Sequence, residues 1–120
     1  MTGRLEACIR LAEKIGVKGK KILDVGCSYP WFLSYVQKNG AKEVAGIEPD
    51  IVKVKAARKQ VPKAKILQGH AGDLKFTNKS FDLVTLFDVI EHIPSNTEPD
   101  TLKEINRVLK LGGHLIISTP

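Results

Sequence analysis

The spacing of apolar residues along the chain changes repeatedly between two patterns. Short, nearly continuous apolar runs predict five buried strands, at residues 22–25, 43–48, 64–68, 81–87 and 114–119. Between them, apolar residues recur at intervals of three and four, which predicts helices at residues 2–15, 30–38 and 51–60 and a further helix that opens at Thr101. Because strand and helix alternate, we expect an open parallel α/β sheet with helices on both faces.

Specific residues predict where the helices end and which faces they bury. Asp50 is predicted to cap the third helix, Thr101 and Glu104 form a capping-box pattern, and Gly112-Gly113 is predicted to end the fourth helix. The polar stretches 69–80 and 94–99 are predicted to be loops. The predicted inward residues are Leu5, Cys8, Ile9, Ala12 and Ile15; Phe32, Leu33 and Val36; Ile51, Val54 and Ala57 or Arg58; and Leu102, Ile105 and Val108 or Leu109.

Composition predicts one ordinary globular domain covering residues 1–120, with 42% hydrophobic and 27% charged residues. No apolar run reaches membrane-spanning length and no signal-peptide pattern opens the chain, so we expect a cytoplasmic protein without a membrane partner. Cys8 and Cys27 stand far apart and predict no metal or redox site. The net charge of +6 comes from scattered lysines, which favours a solvated basic surface over a dedicated nucleic-acid patch.

The first predicted strand ends in a carboxylate and a glycine. Asp24 interrupts an apolar run, and a dry, unpartnered carboxylate would be costly, so Asp24 is predicted to lie near the open end of the strand, where such sheets bind ligands. Gly26 allows a sharp turn close to a ligand. The run Ile22-Leu23-Asp24-Val25-Gly26-Cys27 resembles the first motif of class I S-adenosylmethionine-dependent methyltransferases, with Ser28 and Pro30 where that family usually has glycines.

The second predicted strand also ends in an acid. Glu48 follows Gly26 by 22 residues, the spacing at which nucleotide-binding folds place an acid on ribose hydroxyls. NAD fits poorly, because the dinucleotide fingerprint aligned on Gly26 meets Ser28 and Trp31 instead of glycines. Asp24 would also repel a pyrophosphate, whereas it can attract the cationic amino-acid end of S-adenosylmethionine.

Two later stretches strengthen the resemblance. The segment 69–76 is similar to a family loop that contacts adenine, and here Asp73, the Nδ1 atom of His70 or the backbone of Ala71 and Gly72 could make that contact. The segment 81–93 is similar to the family's fourth motif. Taken together, the resemblance implies a Rossmann-like sheet of order 3-2-1-4-5 and cofactor contacts from Asp24, Gly26, Cys27, Ser28, Glu48, Pro49, His70, Ala71, Gly72, Asp73, Phe87 and Asp88.

Asp88, Glu91 and His92 share one face if they form a helical turn. Two roles are open for these residues. Glu91 and His92 could form hydrogen bonds with the neighbouring backbone, or the three residues could hold a divalent metal ion, as in small-RNA 2′-O-methyltransferases. His92 is also the candidate general base, because methyl transfer needs a base only when the acceptor must lose a proton. Tyr29 and Trp31 are predicted either to roof the cofactor or to pack as ordinary helix residues, with Phe32 in the core.

The resemblance therefore implies an S-adenosylmethionine-dependent methyltransferase with an unidentified acceptor, which we expect to be a small molecule, with RNA as the alternative. A non-catalytic cofactor-binding module or partner-dependent subunit and a metal-dependent RNA 2′-O-methyltransferase are the rival functions. The family fold continues past the fifth strand, so this chain is expected to lack the C-terminal part, which carries acceptor-recognising elements. An exposed fifth strand could then support a homo-oligomer.

Overall fold

The computed structural model describes residues 3–26, 30–87 and 98–118. Its elements are α1 (Gly3–Ile15), β1 (Lys21–Val25), α2 (Pro30–Lys38), β2 (Glu43–Glu48), α3 (Ile51–Gln60), β3 (Lys65–Gln68), β4 (Phe81–Phe87), α4 (Glu98–Val108) and β5 (Leu109–Ser118). The strands form one sheet in the order β3-β2-β1-β4-β5, and every neighbouring pair is parallel. The predicted Rossmann-like order 3-2-1-4-5 is confirmed.

Two apolar clusters sandwich the sheet, as the alternating strand pattern requires. The first contains buried residues of α1, α2 and α3 and includes Phe32, Leu33 and Val36, all fully buried as predicted. The second lies under α4 and includes Ile105 and Val108. Two predicted inward residues are wrong, because Ile51 is 40% exposed and Leu102 is 44% exposed.

The start of α4 differs from the prediction. The helix already includes Glu98 and Pro99, so part of the predicted 94–99 loop is helical and Thr101 lies inside the helix. Thr101 is buried, and its hydroxyl has no partner among the described residues. Glu104 accepts a hydrogen bond from the backbone N–H of Leu74, at 2.9 Å. The capping-box prediction is therefore wrong, because Thr101 does not begin the helix and Glu104 binds a distant segment.

The end of α4 also differs, since the helix stops at Val108 and Leu109 already belongs to β5. The N–H groups of Lys79 and Ser80 donate to the carbonyls of Arg107 and Val108, which provides donors for two of the carbonyls at the helix end. Gly112 and Gly113 instead lie in a register shift within β5. A Cβ on Gly113 would lie 2.9 Å from the carbonyl oxygen of Lys110, so this bulge requires glycine.

The connection from β3 to β4 contains no helix, as predicted for residues 69–80. It has one isolated antiparallel bridge, between His70 and Asp73. None of the helices in the described parts of the chain has the length and apolar character needed to cross a bilayer.

Candidate functional site

The sheet register brings polar side chains together near the carboxyl ends of the strands. Asp24 of β1 is paired with Gly46 of β2 on one side and with Thr85 of β4 on the other. Side chains of paired residues in neighbouring strands point to the same face. Asp24 therefore lies beside a residue without a side chain on one strand and beside a hydroxyl on the other.

Asp24 is almost completely buried, with 1% of its surface exposed. The Thr85 hydroxyl donates a 2.7 Å hydrogen bond to Asp24 Oδ1. Burial raises the pKa of Asp24 to about 7, the Thr85 hydrogen bond opposes this rise, and the negative charge of Glu48 adds to it. Near neutral pH this carboxyl group can therefore hold or release a proton, and a neighbouring cation would favour the ionised form.

Glu48 closes β2 and is 3% exposed. Its Oε2 accepts a 2.8 Å hydrogen bond from the N–H of Asp50. Asp50 itself caps α3 by accepting from the N–H of Val52, as predicted. Because each carboxylate oxygen can accept two hydrogen bonds, the Asp50 contact orients Glu48 and still allows it to accept from a ligand.

The backbone next to these acids turns as predicted. Gly26 has a φ of 71°, a left-handed conformation that favours glycine, and its N–H donates to Ile47 O at 2.7 Å. After β2, Pro49 O accepts from the side-chain amide of Gln68 at 3.1 Å. Cys27, Ser28 and Tyr29 lie outside the described residues, so their predicted roles stay predictions.

The predicted adenine loop follows β3, whose last residue is paired with Glu48. His70 is exposed and its carbonyl accepts from the N–H of Asp73 at 3.1 Å, which closes a tight turn through Ala71 and Gly72. The Asp73 carboxylate forms a 2.8 Å ion pair with Lys75. The loop is therefore next to the Glu48 end of the sheet, and its contact with adenine stays a prediction.

Sequence reasoning missed the residues that hold this connection in place. Arg107 of α4 donates to the carbonyls of Leu74 and Phe76 at 2.7 and 2.8 Å and to the side-chain oxygen of Asn78 at 2.8 Å. Glu104 pairs with Arg107 at 2.7 Å, which lowers the pKa of Glu104. The spacing of Glu104 and Arg107 indicated a helical ion pair, but only the fold shows that it fastens the loop.

Thr85 was also missed, although a signal for it existed. It is the one hydroxyl in the apolar run of β4, and a parallel register between β1 and β4 places a β4 residue beside Asp24.

Phe87, which ends β4, packs edge-on against Phe32 with 4.8 Å between ring centroids and is 2% exposed. Trp31 is half-buried and also packs edge-on against Phe32. A cofactor contact of Phe87 or Trp31 stays a prediction.

Asp88, Glu91 and His92 lie outside the described residues, so neither the metal hypothesis nor the general-base hypothesis is tested. Within residues 3–26, 30–87 and 98–118, no group of three or more His, Cys, Asp or Glu residues could hold a metal ion.

An open parallel sheet with acids near the ends of two adjacent central strands defines a Rossmann-like nucleotide-binding domain. A family model described as a methyltransferase domain matches residues 23–117, and the chain belongs to that family. A phthiotriol/phenolphthiotriol dimycocerosates methyltransferase of Mycobacterium leprae is 32% identical over 109 residues, which is 88% of this chain and 40% of that protein.

Solved structures agree with this assignment. The PH0226 protein of Pyrococcus horikoshii OT3 has a TM-score of 0.85 and 30% identity, over 95% of this chain and 55% of that chain. A TehB-like SAM-dependent methyltransferase from Corynebacterium glutamicum has a TM-score of 0.81 and 27% identity, over 90% of this chain and 59% of that chain. This chain thus spans roughly half the length of the proteins it resembles.

Proposed function

We propose that this chain is the cofactor-binding part of an S-adenosylmethionine-dependent methyltransferase that acts on a small-molecule acceptor. The observation that carries the proposal is the pair of buried carboxylates, Asp24 and Glu48, on adjacent strands at the carboxyl edge of the sheet. The described residues of this edge, 24–26, 46–50 and 67–72, contain no lysine or arginine. A cationic ligand near Asp24 would favour its ionised form.

S-adenosylmethionine fits this arrangement because it combines positive charge with a ribose. We assign the ammonium group of the amino-acid end to the neighbourhood of Asp24, which is paired with Gly46 of β2. The ribose hydroxyls are assigned to Glu48, whose orientation is fixed by Asp50. The adenine is assigned to the turn 69–73, which follows the strand beside Glu48. A pyrophosphate-containing cofactor is disfavoured, since its negative charge would lie close to the carboxylates of Asp24 and Glu48.

The contribution of these residues to catalysis is orientation. When bound, the cofactor supplies a methyl group already activated by a sulfonium, so alignment with the acceptor accounts for much of the acceleration. Glu48 and Asp24 belong to different strands of one rigid sheet, which fixes the distance between the two ends of the site. Proton removal from an acceptor is assigned to His92, and Asp88 is assigned to the methyl-facing side, both as predictions from the sequence.

Isothermal titration calorimetry with S-adenosylmethionine and with S-adenosylhomocysteine tests the site. Glu48→Gln is expected to weaken both ligands about ten- to a hundredfold, because it replaces a charged acceptor in a buried site. Glu43→Gln is the matched control, since Glu43 starts the same strand at the opposite edge and is exposed. Equal binding by the wild type and Glu48→Gln would contradict the assignment of the ribose site.

A second experiment distinguishes an enzyme from a non-catalytic module. Transfer of a labelled methyl group from S-adenosylmethionine to a low-molecular-weight fraction of cell extract would support the small-molecule proposal. The Mycobacterium leprae relative supports that class, because its name gives phthiotriol-type compounds as what it methylates. Cofactor binding without transfer to any fraction would support the module, and transfer to RNA would contradict the proposed acceptor class.

The outer edge of β5 is the surface we propose for self-association of this chain. β5 pairs only with β4 in the described sheet, is ten residues long, and exposes Leu111 at 88% and Ile117 at 41%. Long apolar edge strands favour pairing with another strand. Sedimentation velocity is expected to show a dimer that Ile117→Lys converts to monomer. A wild-type protein that stays monomeric at all concentrations would contradict the proposed self-association.

A cytoplasmic location remains the prediction from the sequence.

A further inference from the structure

The surplus positive charge of the chain is concentrated at the edge of the sheet opposite Asp24 and Glu48. We define the basic edge as the segments 16–21, 39–43, 61–65, 73–82 and 109–113, which lead into the five strands or begin them. The basic edge has nine lysines, no arginine and three carboxylates. This surplus equals the formal net charge of +6 of the whole chain, so the remaining residues are balanced.

The three carboxylates of the basic edge are already paired. Lys21 lies 3.7 Å from Glu43, Lys75 lies 2.8 Å from Asp73, and Lys110 lies 3.4 Å from Asp82. The other six lysines have no described carboxylate within ion-pair distance: Lys18, Lys20, Lys42, Lys63, Lys65 and Lys79. The edge therefore carries positive charge that the described part of the chain does not neutralise.

A cavity of about 700 Å³ opens into this edge. Its lining includes five lysines, namely Lys21, Lys42, Lys63, Lys65 and Lys75. Thr77 and Ser80 also belong to the lining, and among the described lining residues Glu43 is the only one with a carboxylate. A cavity of this volume suits a small ligand, and its concave wall brings several ammonium groups around one space.

We propose that this cavity binds a compact anion with two or more phosphate groups. Lysine ammonium groups bind phosphate as point charges, and several around one cavity favour an anion of high charge density. Sites that bind single-stranded nucleic acid typically add exposed aromatic side chains, on which the bases stack, to their positive charge. Phe76 does not supply one, because Lys65 lies over its ring at 5.8 Å and its ring also packs edge-on against Phe81 at 5.2 Å.

The anion site is separate from the acids of the cofactor site, and the ion pair of Lys75 with Asp73 is where the cavity lining meets the turn assigned to adenine. It lies at the starts of the strands, whereas Asp24 and Glu48 lie near their ends. The inference does not depend on the proposed cofactor, and we expect the two ligands to bind without competition. The phosphates could belong to inorganic polyphosphate or to a nucleoside triphosphate, since both present the same charged groups.

Calorimetry with inorganic tripolyphosphate and with ATP tests the inference. The double variant Lys63→Gln/Lys65→Gln is expected to bind tripolyphosphate about tenfold more weakly than the wild type. The control Lys53→Gln/Lys55→Gln removes the same charge from exposed positions of α3 outside the basic edge, and we expect it to retain the wild-type affinity within about twofold. Saturation with S-adenosylhomocysteine should leave tripolyphosphate binding unchanged.

The outcomes separate the interpretations. Equal affinity for ATP and tripolyphosphate would show that phosphates alone are recognised, and tighter ATP binding would identify a nucleotide, so both support the site. Equal weakening by the control pair would overturn the inference, because it would reduce the effect to net charge. Wild-type binding weaker than about 1 mM, or a short RNA binding more tightly than tripolyphosphate, would overturn it as well.

Discussion

Replacing Asp24 with asparagine should change how the stability of the protein depends on pH. Folding raises the pKa of Asp24 from an ordinary value of 3.8 to about 7, mainly through burial. Between those values the folded state holds a proton that the unfolded state releases, so the free energy of unfolding falls as pH rises. The stabilisation is fully present below the unfolded pKa and is lost by about pH 7.

The shift in Asp24 corresponds to about 4 kcal/mol, because each unit of pKa is worth about 1.4 kcal/mol. An asparagine side chain cannot ionise and can still accept the hydrogen bond of Thr85, so the Asp24→Asn variant should lack this pH dependence. We therefore expect the wild type to lose about 4 kcal/mol relative to Asp24→Asn between about pH 4 and about pH 8.

Urea unfolding followed by far-UV circular dichroism at several pH values measures this difference. Asp100→Asn is the control, because Asp100 is an exposed carboxylate on α4 and its removal changes the net charge equally. If the wild-type and Asp24→Asn stabilities run parallel across this pH range, or if the control shows the same divergence, burial does not raise the Asp24 pKa and the reasoning fails.

Three further outcomes are expected. Cofactor binding should release protons near pH 7 from the wild type but not from Asp24→Asn, because a bound cation favours the ionised carboxylate of Asp24. Calorimetry in buffers of different ionisation enthalpy measures the number of protons released. Equal proton release by the two proteins would contradict this expectation. Arg107→Lys keeps the positive charge but loses the planar guanidinium that donates to Leu74 and Phe76. Thermal unfolding should show that the free energy of unfolding falls by about 2 kcal/mol, and an unchanged melting temperature would contradict this expectation. Gly113→Ala should lower the free energy of unfolding in urea by about 1–3 kcal/mol. Gly72→Ala is the comparison, because a Cβ on Gly72 would meet open space. Equal losses of stability in the two variants would exclude the contact with Lys110 as the cause.

Sequence patterns predicted correctly those helices and strands whose residues interact mainly with near neighbours in the sequence or face the core at a regular period. The helix 30–38 and the strands 43–48 and 81–87 match the structure because their apolar residues face the core at the expected period. Asp50 was predicted correctly as a cap, since the N–H of Val52 that it binds is close in sequence. The strand order followed from the family resemblance.

The failures occur where distant segments compete for a residue. Glu104 had the spacing of a capping box, but its carboxylate instead receives the Leu74 N–H and pairs with Arg107. Gly112-Gly113 had the composition of a helix end but forms a bulge, because α4 already ends at Val108, where Lys79 and Ser80 donate to its last two carbonyls. The positions of Asp24 and Glu48 near the ends of their strands were predicted correctly, and their cofactor contacts stay predictions. The Thr85 contact depends on the register between β1 and β4, which no single strand reveals.

The hydrogen bonds of Arg107 attach α4 to residues 74–78, which precede β4, so that the helix and this segment should move together. Arg107 donates to the carbonyls of Leu74 and Phe76, and Glu104 accepts from the N–H of Leu74. A displacement of α4 would therefore carry residues 74–78 with it instead of leaving them behind. Since residues 74–78 join β3 to β4, a shift of α4 would reach the segment that connects an edge strand of the sheet to a central one.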